Sequence, residues 1–345
     1  MTKTVPRPRR APIALLLAGA ALAPALACAL DTGRAEVAGF VEDMASRHGF
    51  DAASLASVLE QARTRQPILD AMSRPAERRL DWSEYRGRFI TERRVQRGVD
   101  TYRDRRGLLE QAASSGVPAT YLLAIVGVET SYGENTGRHR VIDALATLAF
   151  DYPARAEFFR GELEQFLLMA REESLDPLAP LGSYAGAMGI PQFMPTSFRS
   201  FAVDGDGDGH RDLWSDWADV FASVGNYLKA HGWQAGEPVM TAADVDGADL
   251  AGLETSKAAL TETVESLHRR GVKFETSLPP EAPAMLVALA RPFGAEYRVG
   301  FANFYAITRY NRSLLYASAV HDLAEAIEAG YLRSTAPDDD ASYAD

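Results

Sequence analysis

The stretch Val117-Pro118-Ala119-Thr120-Tyr121-Leu122-Leu123-Ala124-Ile125-Val126-Gly127-Val128-Glu129 is an apolar run that closes on an acid. Its composition predicts a helix. Pro118 stands near the first turn, where a missing N–H costs nothing, and Gly133 and Gly137 mark the end. A carboxylate at the C-terminal end of such a helix is disfavoured twice. The helix terminus carries partial negative charge, and apolar neighbours strip water from the ionised form. Both effects raise the pKa of Glu129, as a general acid working near neutral pH requires. Read locally, a glutamate that turns out to solvent fits equally well.

Working outward, helical patterns recur on both sides. Residues 35–115 hold strong helix formers, with Asp51 a plausible N-cap for 52–62. Residues 143–150 and 154–173 continue the pattern, with Phe158, Leu163, Phe166, Leu167 and Ala170 at core spacing. Residues 216–231 form another amphipathic helix, and residues 301–330 return to helix near the end. Between them, residues 233–300 carry glycines, prolines and short apolar runs such as 284–288, which suggests a small α+β subdomain. The fold class is therefore mainly α (α+β). The acidic residues 334–345 are expected to form a disordered tail. Arginines crowd residues 86–106, either as a solvated helix face with ion pairs or as a rim that meets anionic groups.

Two loops interrupt the helices. Ser183-Tyr184-Ala185-Gly186-Ala187-Met188-Gly189-Ile190-Pro191-Gln192-Phe193-Met194-Pro195 combines glycines that permit close backbone approach with polar groups on Ser183, Tyr184 and Gln192. It also reads as a tight turn that packs Met188, Phe193 and Met194 into a core. Asp204-Gly205-Asp206-Gly207-Asp208-Gly209-His210-Arg211-Asp212 places carboxylates at loop positions 1, 3 and 5 and glycine at 6, the pattern of a calcium loop. His210 would offer its backbone carbonyl. Ser215 occupies position 12 in place of the usual glutamate, so a later acid such as Asp219 would complete the shell. A structural role suits this ion better than a catalytic one. No paired histidines for zinc, no Gly-x-Ser-x-Gly elbow and no phosphate-cradling loop appear, and no organic cofactor is expected.

The net charge of -11 argues against a nucleic-acid partner, which needs a basic face. Residues 1–27 read as an export signal: Lys3, Arg7, Arg9 and Arg10 precede an apolar run too short to span a membrane, and Ala25-Leu26-Ala27 offers a cleavage site. Cys28, the one cysteine, excludes an internal disulfide. It reads either as a lipid anchor to the outer membrane or as an ordinary residue next to the cut.

With these residues in view, the chain resembles the lytic murein transglycosylases of the MltB type (glycoside hydrolase family 103). The resemblance covers roughly residues 81–322. It is carried by Ile125-Val126-Gly127-Val128-Glu129-Thr130, Asp143-Ala144-Leu145-Ala146-Thr147-Leu148, Tyr152-Pro153 and Gly161-Glu162-Leu163-Glu164. Further blocks are Gly186-Ala187-Met188-Gly189, Pro191-Gln192-Phe193-Met194-Pro195, Asn226-Tyr227, His231-Gly232-Trp233, Asn303-Phe304-Tyr305 and Thr308-Arg309-Tyr310-Asn311.

The resemblance implies a helical N-terminal region (28–115) before a lysozyme-like catalytic core (116–232) with an EF-hand-like loop at 204–219. A small β-containing subdomain (233–300) and closing helices (301–333) would follow. It implies that Glu129 protonates the glycosidic oxygen between N-acetylmuramic acid and N-acetylglucosamine, then takes the proton of the muramyl C6 hydroxyl to leave a 1,6-anhydro end. No second acid is then needed, unlike the two-carboxylate glycosidases. Its glycan-binding positions fall on Tyr85, Arg155, Ser183, Gln192, Phe193, Tyr227, Tyr310, Asn311 and Tyr316. Its calcium ligands fall on Asp204, Asp206, Asp208, His210 and Asp219. Peptidoglycan strands in the periplasm are the implied substrate, and proteins of cell-wall synthesis or division the implied company. A hydrolytic muramidase and a non-catalytic peptidoglycan-binding protein are the alternatives.

Overall fold

The structure is a computed structural model that describes residues 28–73 and 80–335. The expected export signal (1–27) lies outside the described residues, as do residues 336–345 of the expected tail. Strand β1 (Cys28–Ala29) precedes helices α1 (Ala35–His48) and α2 (Ala52–Glu60), and β2 (Arg63–Thr64) returns to pair with it. Asp51 does cap α2, its carboxylate accepting from the Ser54 N–H. Helix α3 (Gln66–Ser73) follows, then α4 (Trp82–Phe89), opened by a reciprocal Asp81–Glu84 capping box, α5 (Glu92–Asp104) and α6 (Arg106–Ala113).

The apolar run 117–129 becomes α7 (Ala119–Thr130), in which every residue is buried except Glu129. A helix apolar on all sides has to be central. Strand β3 (His139–Arg140) leads into α8 (Val141–Asp151) and α9 (Ala156–Glu172), and β4 (Leu181–Gly182) pairs back onto β3. Helices α10 (Pro195–Phe201) and α11 (Trp217–Ala230) complete this half. Phe158 departs from its expected core place. It is 43% exposed, under the Arg155 guanidinium, while Phe159 takes the buried position. Asp143 at the head of α8 is buried, and satisfies itself by accepting from the Arg63 N–H (2.9 Å) and from the guanidinium groups of Arg65 and Arg140. That arrangement makes a buried carboxylate tolerable and ties β2 to the body.

Strands β5 (Met240–Ala242), β6 (Glu262–Thr263), β7 (Pro283–Ala290) and β8 (Ala295–Gly300) form an antiparallel sheet in the order β5-β8-β7-β6, with α12 (Val264–Arg269) after β6. Both faces of β7 are covered. Met285, Val287 and Leu289 join the main core, whereas Ala284 and Leu286 belong to a second, small core with Leu267 and Phe301. Two-sided burial explains why this strand reads as a continuous apolar run instead of an alternating one. Helices α13 (Ala302–Tyr310) and α14 (Leu314–Thr335) close the chain, and α14 packs on α7, α5 and α4. Ser334 and Thr335 thus extend that helix and do not begin a tail.

Just before β3, the backbone at Gly137 runs close against Gly182 of β4. A Cβ on Gly137, whose φ is +96°, would lie 2.0 Å from the Gly182 carbonyl oxygen, with backbone and not a flexible side chain in the way. Gly137→Ala is expected to cost about 3 kcal/mol, from overpacking and a strained φ together. Gly161→Ala, on an open surface of α9, should instead stabilise by up to about 1 kcal/mol. Denaturant titrations of both variants check this, and equal stabilities would refute the close-contact account.

Candidate active site

Helix α7 stops one residue after Glu129 through a turn made mostly without glycine. Ser131 (φ 52°) and Tyr132 (φ 60°) take left-handed conformations before Gly133 (φ 83°). Their N–H groups reach back to the Gly127 and Val126 carbonyls, which satisfies the helix end. Each non-glycine residue there costs about 1–2 kcal/mol, so something must hold the turn. The Tyr132 ring fills a slot between Gly127 and Gly98, where any Cβ would come within 3 Å of it, and its hydroxyl donates to the Arg94 carbonyl (3.0 Å). The buried Thr130 hydroxyl donates to the Ile190 carbonyl (2.9 Å) and accepts from the Gly133 N–H, tying the helix end to the glycine-rich loop.

Glu129 faces a cavity of about 480 Å³ lined by Glu134, Asn135, Thr136, Arg138, His139, Ser183, Tyr184 and Gln192. Protein surrounds most of the carboxyl. Burial pushes its pKa up to about 7, against the opposing effect of the Tyr316 hydroxyl, which donates to Oε1 at 2.6 Å. Tyr316 and Tyr310 are themselves held well above the ordinary tyrosine range, first by burial and then by Glu129, and so remain O–H donors. Tyr85 is raised by the same two causes in the same order. The second acid of the cavity, Glu134, is engaged by Arg93 (3.2 Å) and Arg97. Burial, then Arg138, depresses the pKa of His139, so its ring is neutral near pH 7.

The sequence-derived positions divide into three groups. Ser183 and Gln192 line the cavity, Ser183 Oγ accepting from the Ala185 and Ala187 N–H groups and the Gln192 amide donating to the Thr136 and Gly189 carbonyls. Tyr85, Tyr310 and Tyr316 gather around Glu129, with the Tyr310 hydroxyl donating to the Pro191 carbonyl (2.5 Å). The others stand apart. Phe193 is 2% exposed inside an aromatic cluster with Tyr227 and Tyr310, so it offers no open ring face. The buried Tyr227 spends its hydroxyl on the Arg309 carbonyl. Arg155 is exposed and stacks on Phe158 and Phe159, and Asn311 is exposed and accepts from the Ser313 N–H. Asn135, Arg138 and His139 were not singled out from sequence. They share the ten residues that follow Glu129, and that adjacency was the one available signal.

In the Asp-rich loop, carboxylate oxygens of Asp204, Asp206 and Asp219 lie within 4.8 Å of one another. Asp208 is not in that group, and its carboxylate accepts from the His210 N–H instead. Asp219 is buried, with a raised pKa caused mainly by burial, and it accepts from the Gly205 and Asp212 N–H groups.

Because the Glu129 pKa rises from 4.5 to about 7 on folding, the native state is penalised for its ionisation. That penalty is absent below pH 4.5, grows between pH 4.5 and about 7, and levels off above that. Glu129→Gln retains an acceptor for Tyr316 and cannot ionise. It should be more stable than the natural chain by about 1–3 kcal/mol at pH 8, with little difference at pH 4. Melting curves across this range decide it, since a pH-independent difference contradicts the assignment.

A family model for the transglycosylase SLT domain matches residues 32–325. Membrane-bound lytic murein transglycosylase B of Escherichia coli (strain K12) is 42% identical over 298 residues, 84% of this chain and 81% of that protein. Among solved structures, lytic transglycosylase SltB1 from Pseudomonas aeruginosa is 47% identical with a TM-score of 0.84, covering 87% of this chain and 99% of that one. Escherichia coli lytic transglycosylase Slt35 in complex with calcium is 40% identical (TM-score 0.79; 89% and 97% covered). SltB3 from Pseudomonas aeruginosa in complex with NAG-anhNAM-pentapeptide is 31% identical (TM-score 0.75; 86% and 80% covered).

Proposed function

The chain belongs to the transglycosylase SLT family and is a peptidoglycan lytic transglycosylase, and from that premise we propose that Glu129 is its single acid and base. The carrying observation is a carboxyl that burial keeps protonated up to about pH 7, beside a second acid already engaged by two arginines. The Glu129 proton goes to the oxygen that links C1 of N-acetylmuramic acid to N-acetylglucosamine, and the C1–O bond breaks. The carboxylate then accepts the proton of the muramyl C6 hydroxyl as that oxygen bonds to C1. The 1,6-anhydro ring closes and the acid is regenerated. Tyr316 steadies the ionised form between the two steps.

Ser183, Gln192 and Tyr310 are the groups proposed to orient the sugar hydroxyl and acetamido functions, with Tyr85 beside them. Arg155 and Asn311, exposed as they are, would meet the strand farther out. Phe193 and Tyr227 would act from behind the wall. The charged start and apolar run of residues 1–22 support export to the periplasm, with Cys28 either a lipid anchor or an ordinary residue next to the cut. Among the described residues no helix is long and apolar enough to cross a membrane.

The donor set of the Asp-rich loop fits a hard divalent cation: three converging carboxylates, one of them buried and, among the described residues, in no ion pair. Asp204, Asp206 and Asp219, with the His210 carbonyl, are proposed to hold calcium as a structural ion, which supplies charge neutralisation there.

Two measurements test these readings. The natural chain should release muropeptides whose ends are lighter by one water than reducing ends, and Glu129→Gln should release none. Reducing ends would identify a hydrolase, and substantial Glu129→Gln activity would refute the mechanism. Calcium at about a hundred times its dissociation constant should add roughly 2.7 kcal/mol to stability. Asp206→Asn should lose most of that gain, and a melting temperature indifferent to calcium and to chelator would remove the ion.

A further inference from the structure

Beside the Glu129 cavity lies a second, smaller one of about 140 Å³, lined by Thr91, Arg93, Arg94, Arg97, Ser131 and Glu134. Three guanidinium groups meet there with one carboxylate. Arg93 and Arg97 both turn to Glu134. Arg94 pairs with no carboxylate among the described residues. Its guanidinium lies over the Phe89 ring (5.1 Å) and donates to the Arg88 carbonyl (2.8 Å) and to Ser131 Oγ (2.9 Å), so only neutral groups answer a half-buried cation. Elsewhere on the same arginine-rich stretch Arg86 reaches Asp322, Arg103 reaches Asp100 and Arg106 reaches Glu110, whereas Arg105 lies over the Trp217 ring and, like Arg94, pairs with no carboxylate among the described residues, but lines no cavity with other arginines. A cation removed from water without a counter-charge is costly unless an anion arrives.

We propose that the Arg93, Arg94, Arg97 and Ser131 pocket binds a carboxylate of the peptide side chains borne by the glycan substrate. The inference rests on the transglycosylase reading and extends it to substrate choice. Glu134 lines both cavities, and Ser131 stands two residues from Glu129. A group held in the arginine pocket is therefore attached to a strand already lying at the acid. Planar, forked guanidinium groups match a carboxylate two hydrogen bonds at a time. The small volume suits a charged group on a flexible arm better than another sugar. Local positive charge also matters in a chain of net charge -11, which otherwise repels an anionic strand. Glu134 then serves as an internal stand-in, occupying the arginines until the substrate carboxylate displaces it.

The test measures binding in the Glu129→Gln background, so that cleavage does not intervene. Its probes are peptide-bearing glycan strands and the same strands stripped of peptide by an amidase. The ratio of the two affinities is the readout. Adding Arg97→Gln should lower the preference for peptide-bearing strands about tenfold, and Arg94→Met, which keeps the packing on Phe89, should do the same. Adding Glu134→Gln frees two arginines and should raise the preference. An unchanged ratio in both the Arg97→Gln and Glu134→Gln backgrounds overturns the proposal. Failure of the transglycosylase reading would show separately, as an absence of anhydro ends from the natural chain.

Discussion

Helix α7 has to end immediately after Glu129, and the manner of its ending organises the rest of the molecule. An acid one turn earlier would be sealed in the core, and one turn later it would be in water. The stop is bought with two left-handed non-glycine residues, and the Tyr132 ring in its slot between Gly98 and Gly127 is what holds them. Since Gly98 is on α5, the arginine-rich helix is drawn against the same turn. Since Thr130 donates to Ile190, so is the glycine-rich loop. Ile190 in turn donates its N–H to the Leu213 carbonyl, next to Asp212, whose N–H is held by Asp219. One helix terminus therefore fixes the acid, the cavity wall and the acidic loop in a single connected frame.

Electrostatics within that frame is a matter of allocation. The two carboxyls of the cavity differ in environment. Glu129 is surrounded by protein and by tyrosines that stay protonated, which favours the neutral acid. Glu134 is open to solvent and held by Arg93 and Arg97. Two-carboxylate glycosidases use such a split for two catalytic roles. Here the second carboxyl is spent on a neighbouring basic pocket, consistent with chemistry in which the substrate provides its own nucleophile.

Much of this was legible in the residues. The apolar run ending on Glu129 gave both a central helix and a raised pKa, because burial and position along a helix are properties of local composition. The break from helix to small sheet after residue 232 was visible as a change in glycine and apolar-run content. What could not be read depended on contacts distant in sequence. The helix end beside Glu129 was legible to within one residue, but nothing in Ser131-Tyr132 announces that the stop is a left-handed turn supported by a glycine on another helix. Phe193 and Tyr227 suit a sugar as well as a core by residue type, and only packing turned them inward. The Phe158 and Phe159 pair shows the finer limit. Both neighbours satisfy a helical stripe approximately, and Phe159 took the buried place, leaving Phe158 exposed beneath Arg155.

The contact between Gly137 and Gly182 carries a consequence for how this cavity can change. Part of its floor is main chain against main chain, with no side chain between. Single-residue changes alter side chains, so they can reshape the walls but have little to act on there. A small molecule whose affinity came from that floor's peptide groups would be evaded by few substitutions, because those that intrude at Gly137 also strain the scaffold that carries Glu129.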